Sequence, residues 1–264
     1  MDVRLDALGV DIGSRSVEVV GLAGGEVVVS LKAPTAFDPA GQCARLLEGL
    51  AAGRTTATGY GRDLFVRTFG AEARLGVVAT VTEIQAYARG AAHLFPEAHS
   101  VLDIGGQDTK AVVLAPKGRV LRFEMNDRCA AGTGKFLEFM ATALQVPLTE
   151  FGAFALRGRR GLKVNSMCTV FAESEAVSLM GAGERPEDIA LALHLAMVER
   201  LSGMLRRNAC AAPLVFAGGV ARNPCAVALV SEWLGTPAVV PADPDAVGAL
   251  GAALCALQAA EMRA

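Results

Sequence analysis

Two segments of the chain place an aspartate just before a glycine turn, an arrangement suited to phosphate and magnesium chemistry. The first reads Gly-Val-Asp-Ile-Gly-Ser-Arg-Ser over residues 9–16, and the second reads Val-Leu-Asp-Ile-Gly-Gly-Gln-Asp over residues 101–108. In each, a carboxylate lies at the tip of an apolar strand, and glycine lets the next backbone amides turn towards a ligand. Asp11 and Asp103 are therefore expected to hold Mg²⁺ through water.

The repetition of this turn predicts a nucleotide site. One copy alone could equally be a tight hairpin with a capping aspartate, whereas two copies facing each other would bring both turns to the triphosphate of ATP. Gln107 is the candidate for orienting the attacking water, with a hydrogen bond inside the turn as the alternative, and Lys110 is the candidate for neutralising phosphate charge. The residues expected to contact ATP here are Gly13, Ser14, Arg15, Ser16, Gly105, Gly106, Lys110, Gly132 and Thr133.

A third glycine turn, over residues 216–223, follows an apolar strand and precedes a helix. Glycine at this point would leave room for the adenosine part of the nucleotide. The expected contacts are Gly218, Gly219, Val220 and Asn223. The chain lacks both the GxxxxGK[ST] pattern of a P-loop and the strand-linked GxGxxG of a dinucleotide-binding fold, so neither of those nucleotide cradles competes well.

Two cysteines precede apparent helices and are candidate metal ligands. Cys129 lies in Asn-Asp-Arg-Cys-Ala-Ala-Gly-Thr-Gly, and Cys168 begins Cys-Thr-Val-Phe-Ala-Glu-Ser-Glu. A helix N-terminus favours a thiolate, and a 4Fe-4S cluster takes four thiolates. We therefore expect Cys129 and Cys168 of two subunits to hold one cluster across the two-fold axis of a homodimer, although both could instead be buried thiols. The remaining cysteines are expected to be structural: Cys43, Cys210, Cys225 and Cys255.

The composition narrows the classes of function. The chain has 264 residues, 52% of them hydrophobic, and a formal net charge of -2, which suits one large domain or two lobes. No basic run marks a nucleic-acid surface, and no apolar stretch reaches the roughly 18 residues of a membrane-spanning helix. Acidic residues near the N-terminus argue against a signal peptide. A cytoplasmic protein that binds neither nucleic acid nor membrane is expected.

The hydrophobic pattern alternates strands with helices and predicts an α/β fold. Two β-meanders are expected, with strands at 8–12, 17–22 and 27–31 and then at 101–104, 109–114 and 120–125. Helices are expected at 39–50, 82–94, 133–144, 169–180, 186–207, 223–233 and from 245, with short strands at 214–217 and 238–240. The aspartate turns form an internal repeat 92 residues apart, which suits two homologous lobes. We expect the first lobe at 1–97, completed by a helix at 245–264, and the second at 98–244.

The order and spacing of these turns resemble the superfamily of actin, Hsp70 and the sugar kinases. The resemblance implies two ribonuclease H-like lobes hinged around ATP, each a mixed five-stranded sheet flanked by helices. Several segments more closely resemble the activators of 2-hydroxyacyl-CoA dehydratases and the related ATPase subunits of benzoyl-CoA reductase. These segments are 11–14, 58–62, 103–110, both cysteine segments, 218–221 and 248–253. One departure, Gln85-Ala86-Tyr87-Ala88 where these families often have Cys-His-Ala, leaves the subfamily and the partner open.

The resemblance implies an anaerobic, ATP-dependent electron donor. In such a protein a ferredoxin or flavodoxin reduces the bridging 4Fe-4S cluster, and ATP hydrolysis to ADP accompanies transfer of one electron to a 2-hydroxyacyl-CoA dehydratase or related acyl-CoA reductase. The alternatives are an ATPase subunit of a benzoyl-CoA reductase-type complex, a small-molecule kinase, and a regulatory scaffold that binds ATP without a cluster. A kinase would need an aspartate base between the phosphate turns, and neither Asp63 nor Glu83 has a recognisable sugar-kinase setting.

Overall fold

The computed structural model describes residues 3–165 and 168–261. The chain divides into two compact units. The first comprises residues 1–98, 114–121 and 241–264, and the second comprises residues 99–113 and 122–240. No helix in the described ranges is long and apolar enough to cross a lipid bilayer.

Each unit is built on a β-sheet. The strands in the described part of the chain are β1 (Val3–Ile12), β2 (Ser16–Ala23), β3 (Glu26–Pro34), β4 (Leu50–Thr58), β5 (Val77–Thr80), β6 (Ser100–Ile104), β7 (Thr109–Ala115), β8 (Arg119–Asn126) and β9 (Leu214–Ala217). The first sheet has the order β3-β2-β1-β4-β5, and the second has the order β8-β7-β6-β9. In both, the hairpin partner of the central strand is antiparallel and the partner on its other side is parallel. The expected α/β fold with mixed sheets is confirmed.

Helices cover these sheets. They are α1 (Pro39–Leu46), α2 (Arg62–Phe69), α3 (Glu83–Leu94), α4 (Gly134–Ala143), α5 (Leu148–Ala155), α6 (Thr169–Gly181), α7 (Pro186–Arg207), α8 (Pro224–Leu234) and α9 (Val247–Glu261). α3 begins as expected, because the hydroxyl of Thr82 accepts a hydrogen bond from Gln85 N at 3.3 Å. The expected short strand at 238–240 is a single bridge, in which Val239 pairs with Val215 beside β9.

The first sheet is covered on both faces. On one face, side chains of β1 and β2 pack against α1 and α2 in a core that includes Leu8, Val10 and Phe65. On the other face, Val20 and Leu22 pack against alanines of α9. Glycine permits this second contact, because a Cβ atom on Gly9 of β1 would lie 1.9 Å from Ala249 O in α9. The backbone of α9 therefore lies directly on the central strand.

The second unit has a large hydrophobic core on one side of its sheet. β6 contributes Leu102 and Ile104, and the core extends through α4, α5, α7 and α8. α7 spans 22 residues and buries most of its apolar side chains there. This packing fixes the starts of α4 and α8, which lie next to the glycine turns.

Two expectations about the first unit were wrong or incomplete. The helix expected at 39–50 ends at Leu46, because Gly49 adopts a positive φ of 70° and Leu50 begins β4. β4 and β5, the parallel half of the sheet, were not expected. β4 reads Leu-Ala-Ala-Gly-Arg-Thr-Thr-Ala-Thr, and such a chain of small residues lacks the alternation that marks a half-exposed strand.

Candidate functional site

The first aspartate turn joins β1 to β2 and is held by backbone hydrogen bonds. Gly13 N donates to Ser16 O at 3.0 Å, which closes the turn. Thr35, which directly follows β3, supports it, because its hydroxyl donates to Gly13 O at 2.7 Å and its amide donates to Arg15 O at 3.0 Å. Ser14 and Ser16 are half-buried and Arg15 is exposed. The predicted phosphate-contacting residues of this unit therefore lie on one fixed turn.

Asp11 is buried at the tip of β1, and two glycines allow the chain to approach its carboxylate. A Cβ atom on Gly59 would lie 2.5 Å from Asp11 Oδ1, and one on Gly248 would lie 2.0 Å from Asp11 Oδ2. Gly59 also has a φ of +85°, which favours glycine. Both glycines belong to segments that carried the family resemblance, but sequence reasoning gave them no role. Only the tertiary contact reveals that they line the carboxylate.

The second turn repeats this geometry. Gly105 N donates to Asp108 O at 3.0 Å, and a Cβ atom on Gly218, which has a φ of +81°, would lie 2.3 Å from Asp103 Oδ1. Lys110 is buried, with its Nζ 3.0 Å from Asp103 Oδ2 and 2.8 Å from Asp108 Oδ2. Its charge therefore already neutralises carboxylates of its own unit. Exposed residue Gln107 lies in the same turn.

The start of α4 is hydrogen-bonded to this second turn. Gly134 N donates to Gly105 O at 2.9 Å, and Lys135 N donates to Gly106 O at 2.8 Å. Just upstream, Gly132 O accepts a hydrogen bond from Thr109 at 2.6 Å, while Thr133 donates its hydroxyl to Ala130 O. A Cβ atom on Gly134 would also lie 3.3 Å from Val220 Cγ2. The second turn, residues 132–135 and the third turn thus lie together.

The third turn leads into α8 through Asn223. Its Oδ1 accepts from Ala226 N at 3.0 Å, which caps α8, and its Nδ2 lies 3.0 Å from His194 Nε2. His194 Nδ1 lies 2.8 Å from Ala190 O, so the ring donates to the carbonyl and accepts from Asn223. Burial lowers the pKa of His194 to about 4. The amide of Asn223 is therefore committed to contacts within its own unit, whereas the neighbouring Gly219 is exposed.

The two candidate cluster cysteines differ in position. Cys168 is exposed and occupies the N-cap of α6, as expected, but Cys129 is half-buried and lies four residues before Thr133, the N-cap of α4. The expectation that Cys129 immediately precedes a helix was therefore wrong. Instead, Asn126 organises its loop, because Asn126 Nδ2 donates to Cys129 O at 2.9 Å.

The four other cysteines are poor metal ligands. Burial raises the pKa of the Cys43 and Cys225 thiols to about 12, and it also raises the pKa of Cys210 and Cys255. These side chains remain protonated thiols, whereas ligation needs a thiolate. All six cysteines are free.

Most of the chain matches a known protein family. The model of the BadF/BadG/BcrA/BcrD ATPase family matches residues 8–256. The chain belongs to this family. A 2-hydroxyisocaproyl-CoA dehydratase activator from Clostridioides difficile is 35% identical over 254 residues, covering 96% of each chain. An activator of lactoyl-CoA dehydratase from Anaerotignum propionicum is 37% identical over 266 residues, covering 97% of this chain and 99% of the relative.

A solved structure of this ATPase family has the same fold. It is the activator of the 2-hydroxyisocaproyl-CoA dehydratase from Clostridium difficile with bound ADPNP. Its TM-score is 0.86 at 34% identity, with 97% of this chain and 96% of that chain covered. The expected actin-like ATPase fold and the family that the sequence resembles are both confirmed.

Proposed function

We propose that this ATPase is a one-electron donor that activates a 2-hydroxyacyl-CoA dehydratase or a related acyl-CoA reductase. The observation that carries the proposal is the position of half-buried Cys129 and exposed Cys168 in the unit that also holds the second and third glycine turns. The names of the two relatives, which match almost the full length of the chain, support the same activity.

ATP with Mg²⁺ is the proposed nucleotide. Both aspartate turns present backbone amides to phosphate, and the relative of known structure holds the ATP analogue ADPNP. The exposed position of Gln107 within the second turn suits a residue that orients a water molecule. Asp11 and Asp103 are the proposed magnesium residues, through water, and Asp103 is the weaker candidate because Lys110 already neutralises it.

The donor set fits a 4Fe-4S cluster only if two copies of the chain share it. Among the described residues no three His, Cys, Asp or Glu side chains form a metal site, so one chain supplies two thiolates at most. α6, which begins at Cys168, exposes the apolar side chains of Val170, Phe171 and Val177. Such an exposed apolar face is typical of an interface, and we propose that it packs around the cluster in a homodimer. A cluster bound there would supply a low-potential electron.

The hydrogen bonds of the second unit suggest how nucleotide and cluster communicate. Gly105 O and Gly106 O accept from the first two amides of α4, and the loop that carries Cys129 runs directly into that helix. Thr109, at the start of β7, also holds this loop through Gly132 O. A change at the phosphate turn on hydrolysis would therefore move the Cys129 loop.

A ferredoxin or flavodoxin is the proposed electron source.

Iron and sulfide analysis after anaerobic purification tests the proposal. We expect about one 4Fe-4S cluster per dimer, with absorbance near 400 nm, and loss of iron in Cys129→Ser and Cys168→Ser. Cys255→Ser and Cys210→Ser are matched controls that should keep the iron, because burial holds those thiols protonated. A colourless protein that phosphorylates sugars, or equal iron loss in all four variants, would contradict the electron-donor function.

A further inference from the structure

Corresponding positions in the two units carry opposite charges. In the first sheet Asp11 lies opposite Glu18 in the antiparallel register of β1 and β2. In the second sheet Asp103 lies opposite Lys110 in the register of β6 and β7. Directly opposite residues share one face of a sheet with their Cβ atoms about 5 Å apart. The internal repeat therefore places a glutamate in one unit where the other has a lysine.

The surroundings of these two positions also differ. Lys110 bridges Asp103 and Asp108, so the second turn neutralises its own carboxylates. The residue that corresponds to Asp108 is Ser16, whose hydroxyl hydrogen-bonds the Glu18 carboxylate. The second unit thus combines two carboxylates with an ammonium, whereas the corresponding positions of the first unit hold two carboxylates and a hydroxyl. The two turns carry the same formal charge, but the cation of the first turn, Arg15, is exposed, whereas the buried ammonium of Lys110 lies against the carboxylates of the second.

Glu18 is buried, with 5% of its surface exposed, and its Oε1 has no hydrogen-bond partner among the described residues. The nearest ammonium, Lys32 Nζ, is 3.8 Å from Oε1 but 2.7 Å from Asp245 Oδ2, so Lys32 is committed to Asp245. Burial raises the pKa of Glu18 to about 7; the Ser16 hydrogen bond and the Lys32 charge act in the opposite direction, and Asp245 and Asp243 raise it further. A carboxylate oxygen without a partner in such a place is expected to bind a cation or a donor.

We propose that Glu18, together with Asp11, binds the divalent cation that accompanies the nucleotide at the first turn. The inference rests on the proposed ATP binding and adds a ligand to it. Mg²⁺ is commonly held by one or two carboxylates, with phosphate oxygens and water completing its shell. Asp11 and Glu18 supply two carboxylates on one face of the sheet. A cation here also offsets the repulsion between this acidic cluster and the phosphates, which Lys110 limits at the second turn.

The other role for Glu18 is a structural ion pair with Lys32. The geometry disfavours it, because 3.8 Å is too long for a hydrogen bond and Lys32 has a closer carboxylate in Asp245. A structural role would moreover affect stability without affecting metal affinity. The two roles can therefore be separated by measuring the metal directly.

The test is a titration of the full-length protein, saturated with ADP, with Mn²⁺. Binding is monitored through the electron paramagnetic resonance signal of the Mn²⁺ that remains free. Glu18→Gln keeps the shape and the contact with Ser16 but loses a strong ligand, so Mn²⁺ affinity should fall at least about tenfold. The double variant Lys32→Gln/Asp245→Asn is the control, since it removes the neighbouring ion pair as a unit, frees no ammonium for Glu18 and should change Mn²⁺ affinity far less. Glu18→Lys copies the second unit and should let ADP bind with little dependence on Mg²⁺.

Three outcomes would overturn the inference. Equal Mn²⁺ affinity in wild type and Glu18→Gln would leave Glu18 as a structural residue while ATP binding still stood. Equal losses in Glu18→Gln and in Lys32→Gln/Asp245→Asn would indicate a general disturbance of the buried cluster rather than the loss of a ligand. Failure of wild type to bind ADP at all would overturn both this inference and the proposed function. Circular dichroism melting of each variant confirms that the comparison is made on folded protein.

Discussion

Protonation of His194 should weaken the second unit at mildly acidic pH. The ring is fully buried against Phe151, donates through Nδ1 to Ala190 O, and accepts through Nε2 from the Asn223 side chain. A second ring proton would place two donors face to face at the contact with Asn223. Asn223 could relieve this only by turning its amide, which would take its oxygen from Ala226 N and uncap α8.

The magnitude follows from the pKa of His194. Burial lowers it from 6.5 to about 4, so the folded state binds the proton less readily than the unfolded state. The stability that this group contributes is complete above pH 6.5 and is lost as the pH falls towards 4. Because one unit of pKa corresponds to about 1.4 kcal/mol, the full loss is about 3 kcal/mol.

The assay is urea unfolding at about pH 7.5 and about pH 4.5, where most of this contribution, roughly 2 to 3 kcal/mol, should be gone. Trp233, the one tryptophan of the chain, lies on α8 and reports the relevant region by fluorescence. His194→Gln is the comparison, because it keeps polar groups but does not titrate. Carboxylates contribute equally to both proteins, so the difference between their pH dependences isolates His194.

The reasoning would be refuted if wild type and His194→Gln lost the same free energy of unfolding between the two pH values. It would also fail if the wild type became more stable on acidification relative to the variant. A variant that is less stable at both pH values, but flatter between them, agrees with the prediction.

Further predictions concern the turns. Gly59→Ala should lower the free energy of unfolding by roughly 2 kcal/mol more than Gly183→Ala. Both glycines have a φ of +85°, but a Cβ atom at Gly59 would meet Asp11, whereas no described atom lies within 4 Å of one at Gly183. Equal losses in urea titrations would exclude the close approach at Gly59. Gln107→Ala should slow ATP hydrolysis at least about tenfold with nucleotide affinity nearly unchanged, and parallel losses in steady-state and binding assays would contradict its role. Asn223→Ala should cost roughly 2 to 4 kcal/mol, as measured by thermal melting at neutral pH, because it removes both the α8 cap and the donor to buried His194, and no loss would contradict both contacts.

The hydrophobic pattern predicted most of the fold, for a physical reason. The meanders β1–β3 and β6–β8 alternate or run apolar between glycine turns, and the long helix α7 shows its period over 22 residues. β4 was not predicted because alanine and threonine are buried on both of its faces, so its sequence does not alternate between apolar and polar residues. The helix expected at 133–144 is present as α4, but Cys129 does not immediately precede it, because the backbone between Asn126 and Thr133 is held by side-chain hydrogen bonds that have no sequence period.

The candidate site was predictable only where one segment contains it. The aspartate turns and the cysteine segments are local patterns, and the structure places them where strands and helices end. Contacts between distant segments were not predictable, such as the approach of Gly248 to Asp11 or the pairing of Lys32 with Asp245. Glu18 and Lys110 lie two residues after the segments 9–16 and 101–108 that define the repeat. Only the strand register shows that they occupy corresponding positions opposite Asp11 and Asp103.

The position of α9 affects how the protein is made. The ribosome synthesises β1 and β2 early, but the helix that covers Val20 and Leu22 on their second face emerges only after the whole second unit. During that interval the nascent first sheet exposes an apolar surface, so chaperone binding and aggregation are expected to depend on the rate at which the last helix is delivered. A stop codon before residue 247 would therefore leave a chain whose second unit is fully translated but whose first unit stays half uncovered.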